Sequence, residues 1–165
     1  MTNGNGFGFC TGTVLSNSEN KSFVITAKHC IEASKELYVE NLKVIKTYSS
    51  ISDDIAVLEL NNNIPNKTPA ILGKNNLKKN DEVFGVGYPN LDLYPLYGKI
   101  FLTAKDDSYI MMKSIHGCSG SGLFNNNDKL IGVLWGGVAV GNVNITLYSP
   151  LNEILNFIKD IPYEL

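Results

Sequence analysis

Ser119 lies inside a glycine-rich run, Gly117-Cys118-Ser119-Gly120-Ser121-Gly122, that continues into Leu123-Phe124. A serine hydroxyl is a poor nucleophile at neutral pH. It needs a base to take its proton and backbone N–H donors to hold the oxyanion formed on attack. Glycines on both sides permit the backbone angles that turn successive amides toward one point, and they let a substrate carbonyl approach the main chain. The run therefore reads as a nucleophile loop, provided that the chain elsewhere supplies a histidine and a carboxylate.

Only two histidines are available. His29 ends the apolar run Phe23-Val24-Ile25-Thr26-Ala27-Lys28-His29-Cys30, which places an imidazole at the end of a buried strand, with a short helical turn expected within 31–37. His116 stands three residues before Ser119 and is read as lining a pocket. For the carboxylate, Asp54 opens the apolar segment Ile55-Ala56-Val57-Leu58. A carboxylate there is poorly solvated unless it finds a donor, and an imidazole N–H supplies one. Asp53 reads as an ordinary turn residue.

The order His, Asp, Ser, with Thr26-Ala27-Lys28-His29-Cys30, Asp54-Ile55-Ala56-Val57-Leu58 and Gly117-Cys118-Ser119-Gly120-Ser121-Gly122, resembles the chymotrypsin/trypsin-like serine peptidases. Gly8-Phe9-Cys10-Thr11-Gly12-Thr13-Val14-Leu15 near the start and Leu130-Ile131-Gly132-Val133-Leu134-Trp135-Gly136-Gly137 after the serine extend the likeness over nearly the whole chain. Within the family, Ser119 to Asn125, Gly87-Tyr88-Pro89 and Val133 to Gly137 are most similar to the short bacterial branch of glutamyl endopeptidases and exfoliative toxins.

The resemblance implies an all-β fold of two antiparallel six-stranded β-barrels with a C-terminal helix. Composition agrees: at 165 residues the chain suits one compact unit with short loops. Short β-type runs recur at 12–15, 22–26, 36–39, 43–47, 55–59, 82–88, 96–102, 109–113, 122–125, 129–135 and 145–149, separated by Gly, Asn, Asp and Pro. An amphipathic helix is expected from about 150 to 161. The expected division is an N-terminal barrel over about 1–65, a polar linker over 61–80 and a C-terminal barrel over 81–149. Met111 and Met112 read as strand core.

A net charge of -2 and the absence of a Lys/Arg cluster argue against nucleic acid or an anionic membrane as partner. No apolar run approaches the roughly 20 residues of a membrane span, and the polar start Met1 to Gly6 is unlike a signal peptide. A soluble, intracellular protein is expected, or a secreted one if it is cut from a longer precursor. By resemblance Cys10 and Cys30 occupy the positions of a disulfide beside the catalytic histidine, worth about 3 kcal/mol if closed. Without a signal sequence the reduced pair is expected. Cys118 fills the position where digestive trypsins carry an aspartate that receives a newly cut N-terminus, which implies that such activation is absent. The spacing of three Cys and two His matches no zinc motif, so neither a metal nor a cofactor is expected.

The resemblance then distributes roles. Ser119 attacks the peptide carbonyl, His29 is the base, Asp54 orients His29, and the amides of Gly117 and Ser119 form the oxyanion hole. A protein or peptide substrate lies as an extended strand against Leu134, Trp135 and Gly136. The pocket for the residue before the cut is lined by Lys113, Ser114, Ile115, His116, Leu134, Gly136 and Thr146. Lys113 and His116 favour an acidic side chain there. Leu134, however, stands where the glutamyl branch has a histidine, so an apolar or small side chain is an equal alternative. Two further readings share the fold: a catalytically silent binding module, and an effector that is inactive until a regulatory partner orders its loops.

Overall fold

The computed structural model describes residues 2–3, 6–32, 34–74, 77–103 and 108–163, with side chains for 8–32, 34–74, 77–101 and 109–163. The N-terminal half contains β1 (Thr2–Asn3), β2 (Gly6–Phe7), β3 (Thr13–Asn17), β4 (Ser22–Thr26), the short helix α1 (His29–Glu32), β5 (Ser34–Glu36), β6 (Tyr38–Val39), β7 (Leu42–Lys43), β8 (Lys46–Ser49) and β9 (Ala56–Leu60). Its central sheet is antiparallel and four-stranded, in the order β3-β4-β9-β8, beside a three-stranded sheet β2-β1-β5 and a β6-β7 hairpin.

This half corrects the expectation of a closed six-stranded barrel: among the described residues its main sheet is open at both edges. The cause lies in residues 36–47, which break into short pieces instead of two long strands. Leu37 turns into the core between β5 and β6. The Val44 N–H bonds the Leu37 carbonyl at 3.0 Å, and the Ile45 N–H bonds the Glu59 carbonyl at 2.9 Å. These single bonds tie the segment down without building a ladder that could close the sheet.

The C-terminal half does close. It comprises β10 (Ile71–Leu72), β11 (Glu82–Gly87), a 3₁₀ turn at Pro89–Leu91, β12 (Tyr94–Thr103), β13 (Ser108–Met112), β14 (Gly122–Phe124), β15 (Lys129–Val140), β16 (Val143–Pro150) and helix α2 (Leu151–Ile158). Six of these strands run β15-β14-β11-β12-β13-β16, and β16 pairs back onto β15. β10, which falls in the stretch expected as a polar linker, adds to β15 as a parallel edge strand. Ala70 N–H also bonds the Val14 carbonyl at 2.8 Å, so this stretch is tied to both halves.

β4 and β9 are buried on both faces. Phe23, Ile25 and Val57 point into a cluster shared with Leu130 and Val133 of β15 and Ile154 and Ile158 of α2. Val24, Ala56, Leu58 and Leu60 point the other way, onto Ile31 and Ile64. Burying each large side chain contributes about 1.5–3 kcal/mol, so the shared cluster is what welds the open sheet to the barrel. The i, i+3, i+7 spacing of Leu151, Ile154 and Ile158 presents one buried stripe of α2 to that seam. A separate cluster that includes Val83, Ile100, Ile110, Leu123 and Leu134 fills the barrel. No helix among the described residues is long and apolar enough to cross a membrane.

Candidate active site

Strand register brings His29 to Asp54. β4 and β9 pair with Thr26 opposite Ala56; the chain leaves β4 just after Thr26 and enters β9 just before Ala56, so His29 and Asp54 meet at the same end of one strand pair. Asp54 takes both donors that His29 offers. The backbone N–H bonds Oδ1 at 2.9 Å, and Nδ1 lies 2.7 Å from Oδ2. A carboxylate can only accept, so Nδ1 carries the proton and Nε2 of the neutral ring presents its lone pair. His29 and Asp54 retain 46 % and 26 % side-chain exposure, so the pair faces an open surface. Asp53 is engaged within its own turn, by the hydroxyls of Ser52 at 2.9 Å and Ser50 at 3.4 Å.

In the serine loop, paired and unpaired amides alternate. Cys118 N–H bonds the Ile115 carbonyl at 3.1 Å, Gly120 N–H the Leu134 carbonyl at 2.7 Å and Ser121 N–H the Cys118 carbonyl at 3.0 Å. Among the described residues the amides of Gly117 and Ser119 have no partner. Residues 115–118 form a turn closed by the Cys118 bond, with φ +100 at Gly117 and no positive φ at His116. Positive φ confined to the third position defines a type II turn, whose central peptide is flipped relative to type I. The sign of φ at Gly117 therefore decides which way its free N–H faces. A Cβ at Gly117 would lie 2.8 Å from Pro89 Cα, and one at Gly120 would collide with the Thr11 carbonyl. Both positions require glycine.

Thr11, named above only within a motif, holds this loop in place. It is buried, and three of its polar atoms reach other elements. Its N–H bonds the Ser119 carbonyl at 2.8 Å, and its hydroxyl donates to the Gly117 carbonyl at 3.0 Å. The same hydroxyl oxygen accepts the Tyr88 N–H at 2.9 Å, and the Thr11 carbonyl accepts the Thr26 hydroxyl at 2.8 Å. The strand leading to His29 and the loop carrying Ser119 are thus fastened to one residue. A threonine between Cys10 and Gly12 carried no periodic signal, since its partners are distant in sequence.

Cys10 and Cys30 form a disulfide, where a reduced pair was expected. It closes a short loop directly under the site: Cys30 Sγ is 4.0 Å from His29 Nε2 and 3.8 Å from the Ser119 carbonyl oxygen. The Ser119 hydroxyl donates to the Trp135 carbonyl at 3.4 Å, and among the described residues it makes no hydrogen bond to His29. Hydrogen bonds between nucleophile and base commonly tighten only when substrate is bound. Cys118 is fully buried in the barrel cluster, and burial pushes its thiol pKa up. Its side chain is remote from reactivity as well as from solvent.

The residues expected around the pocket separate into two groups. Lys113, Ile115, His116 and Trp135 are exposed, with Ser114 and Gly136 half-buried beside them. Thr146 is buried, and its hydroxyl bonds the Met112 carbonyl at 3.0 Å and Ser114 Oγ at 3.2 Å. Leu134 differs: its side chain is buried in the barrel core, and its N–H and carbonyl bond Ser121 and Gly120. The irregularity in pairing between Leu134 and Gly136 leaves Trp135 outside the register with β16, and it is exposed directly after the buried run Leu130 to Leu134.

An imidazole held by a carboxylate thus lies beside a glycine-rich serine loop at the edge of a closed β-barrel. The trypsin-like peptidase domain family model matches residues 10–133. The chain belongs to that family. Solved structures of similar fold include a Glu endopeptidase, at 20% identity and TM-score 0.74, with 96% of this chain and 86% of that one covered. The active form of the Rv3671c protease from M. tuberculosis is similar at 19% identity and TM-score 0.76, covering 94% of this chain and 74% of that one. The HtrA-type protease AlgW with a decapeptide is similar at 16% identity and TM-score 0.75, covering 93% of this chain and 51% of that one.

Proposed function

We propose that the chain is a serine endopeptidase acting on protein or peptide substrates through His29, Asp54 and Ser119. The single observation that carries the reading is the pair of unpartnered amides at Gly117 and Ser119, in a loop where the amides of Cys118, Gly120 and Ser121 are bonded. An oxyanion is what such a pair would receive. Ser119 attacks the scissile carbonyl as His29 Nε2 takes its proton, and the charge formed on the ring is stabilised by Asp54. His29 then delivers the proton to the leaving amine, and water resolves the acyl-enzyme by the reverse sequence.

The substrate pairs as an added strand along Trp135 and Gly136, and the Ser119 hydroxyl leaves the Trp135 carbonyl to reach His29. The side chain before the cut meets the linked hydroxyls of Ser114 and Thr146, with Lys113, Ile115 and His116 at the rim. Leu134 contributes through its backbone alone. The cationic and imidazole groups at the rim support an acidic preference. Cleavage profiling on a peptide library should show enrichment of Glu or Asp before the cut, and loss of that enrichment in Lys113→Ala or His116→Ala; enrichment of small apolar residues instead would overturn the preference.

Activity itself is tested with a fluorophosphonate probe. Wild type should be labelled and Ser119→Ala should not. No labelling with or without added peptide would refute the proposal in favour of a silent binding module. Labelling only after a partner is added would indicate the conditional effector.

A further inference from the structure

The sulfurs of Cys10 and Cys30 and an imidazole nitrogen of His29 lie within 4.8 Å of one another. The spacing of these residues in the sequence matches no metal motif, because the three converge from a loop before β3 and from the start of α1. We propose that, once the Cys10–Cys30 disulfide is reduced, the two thiolates and His29 Nε2 bind one zinc ion, and that the bound ion silences the site by occupying the base nitrogen. Metal binding stands on the geometry alone; the silencing rests on His29 being the catalytic base.

Four observations meet the requirements of such a site. Zinc takes two thiolates and an imidazole at about 2.0–2.3 Å, which sets ligand atoms roughly 3.5–3.8 Å apart. His29 Nε2 already stands 4.0 Å from Cys30 Sγ, and opening the disulfide lets the sulfurs separate by side-chain rotation while their Cα atoms are 6.2 Å apart. The ring is preset for coordination: Nδ1 is held by Asp54 at 2.7 Å, leaving Nε2 as the free donor. A carboxylate behind a metal-bound imidazole is the usual supporting arrangement. Access exists too, since Cys10 is half-buried and His29 is exposed, which leaves the fourth position to water.

The chemistry balances. A dithiol reductant gives two electrons and two protons to the disulfide, becoming a cyclic disulfide itself and leaving two thiols on the protein. Coordination of zinc then releases those two protons to solvent. Reoxidation by exchange with a small-molecule disulfide, which takes the two electrons and leaves as two thiolates, expels the ion, because the protein sulfurs no longer carry two thiolate charges.

Cobalt(II) serves as the probe. Titrated into the dithiol-reduced chain, it should produce thiolate charge-transfer absorption in the near ultraviolet and tetrahedral bands in the visible, with one ion bound; the oxidised chain should produce neither. Cys10→Ser, Cys30→Ser and His29→Gln should each lose the tetrahedral bands. Asp54→Asn should weaken binding about 10- to 100-fold, and Ser119→Ala should bind as wild type does. In the reduced wild type, zinc should slow fluorophosphonate labelling about a hundredfold or more, the size of a lost general base, and chelation should restore it. The near-ultraviolet circular dichroism of Trp135 reports whether the reduced chain stays folded. A folded reduced chain without cobalt bands overturns the site, as does a chain that is unfolded with and without zinc. Bands without slowed labelling overturn the silencing. A wild type that no probe labels leaves the cobalt result to decide the site by itself.

Discussion

The Thr11 hydroxyl donates a 3.0 Å hydrogen bond to the Gly117 carbonyl across 106 residues of sequence. That bond pins one end of the turn whose geometry aims the Gly117 amide, and the same oxygen receives the Tyr88 N–H at 2.9 Å. The serine loop therefore owes its shape to a residue from the opposite half of the fold.

Thr11→Val keeps the shape of the side chain and leaves both groups without a partner. At about 1–3 kcal/mol for each buried unsatisfied group, the variant should lose about 2–6 kcal/mol of stability by urea denaturation and label more slowly with fluorophosphonate. Thr11→Ser, which keeps the hydroxyl, should recover most of both. Equal stability of Thr11→Val and wild type would remove Thr11 from this role.

Gly117→Ala tests the turn. An added Cβ meets Pro89 Cα at 2.8 Å on a backbone at φ +100, so the central peptide is expected to flip and withdraw its N–H. Losing one oxyanion donor costs about a hundred- to a thousand-fold in kcat. KM should change little. A variant with wild-type kcat would mean that the Gly117 amide holds no developing charge.

Asp54→Asn should leave the fold intact and lower turnover by about ten-thousand-fold, because an amide in place of the carboxylate no longer stabilises the protonated ring. Asp53→Asn should stay within about tenfold of wild type, since that carboxylate serves its own turn. Steady-state kinetics on both variants reads the difference; the reverse pattern would exchange their roles.

Glu59 sets an acid limb of stability. Burial raises its pKa, but the Tyr48 hydroxyl at 2.8 Å and the Lys21 ammonium at 3.1 Å, with added charge from Lys46, outweigh it and hold the carboxyl below its ordinary value. A lowered folded pKa contributes stability that is present above the unfolded value, about 4.3, and is lost as pH falls through the folded one. Glu59→Gln should reduce the melting temperature at neutral pH and flatten its decline below about pH 4.3. A parallel decline in both proteins would show that Glu59 is not responsible.

Much of the fold was legible because local pattern and final environment agree. The apolar runs that became β4, β9 and the first half of β15 are buried strands, and the stripe on α2 faces the core. What failed was closure of the first barrel. Residues 36–47 have strand-type composition, yet they fold as short pieces held by single bonds such as Val44 N–H to the Leu37 carbonyl, and whether such a segment pairs at length is set by its neighbours in the fold. The hairpin beyond Trp135 and the edge strand at Ile71–Leu72 were also missed. Their stability comes from pairing with β16 and β15, not from any period of their own.

For the site, residue types and order were enough to nominate His29, Asp54 and Ser119, because the chemistry of each constrains its immediate neighbours: an apolar strand before the imidazole, another after the carboxylate, glycines around the serine. Register, long-range clamps and the direction of a single peptide belong to the folded chain. Pairing of Thr26 with Ala56 is what joins His29 to Asp54, and Thr11 is what holds the serine loop. The convergence of Cys10, Cys30 and His29 within 4.8 Å depends on the same closure. Contacts of this kind are set by how segments distant in sequence pack, and no local pattern carries that information.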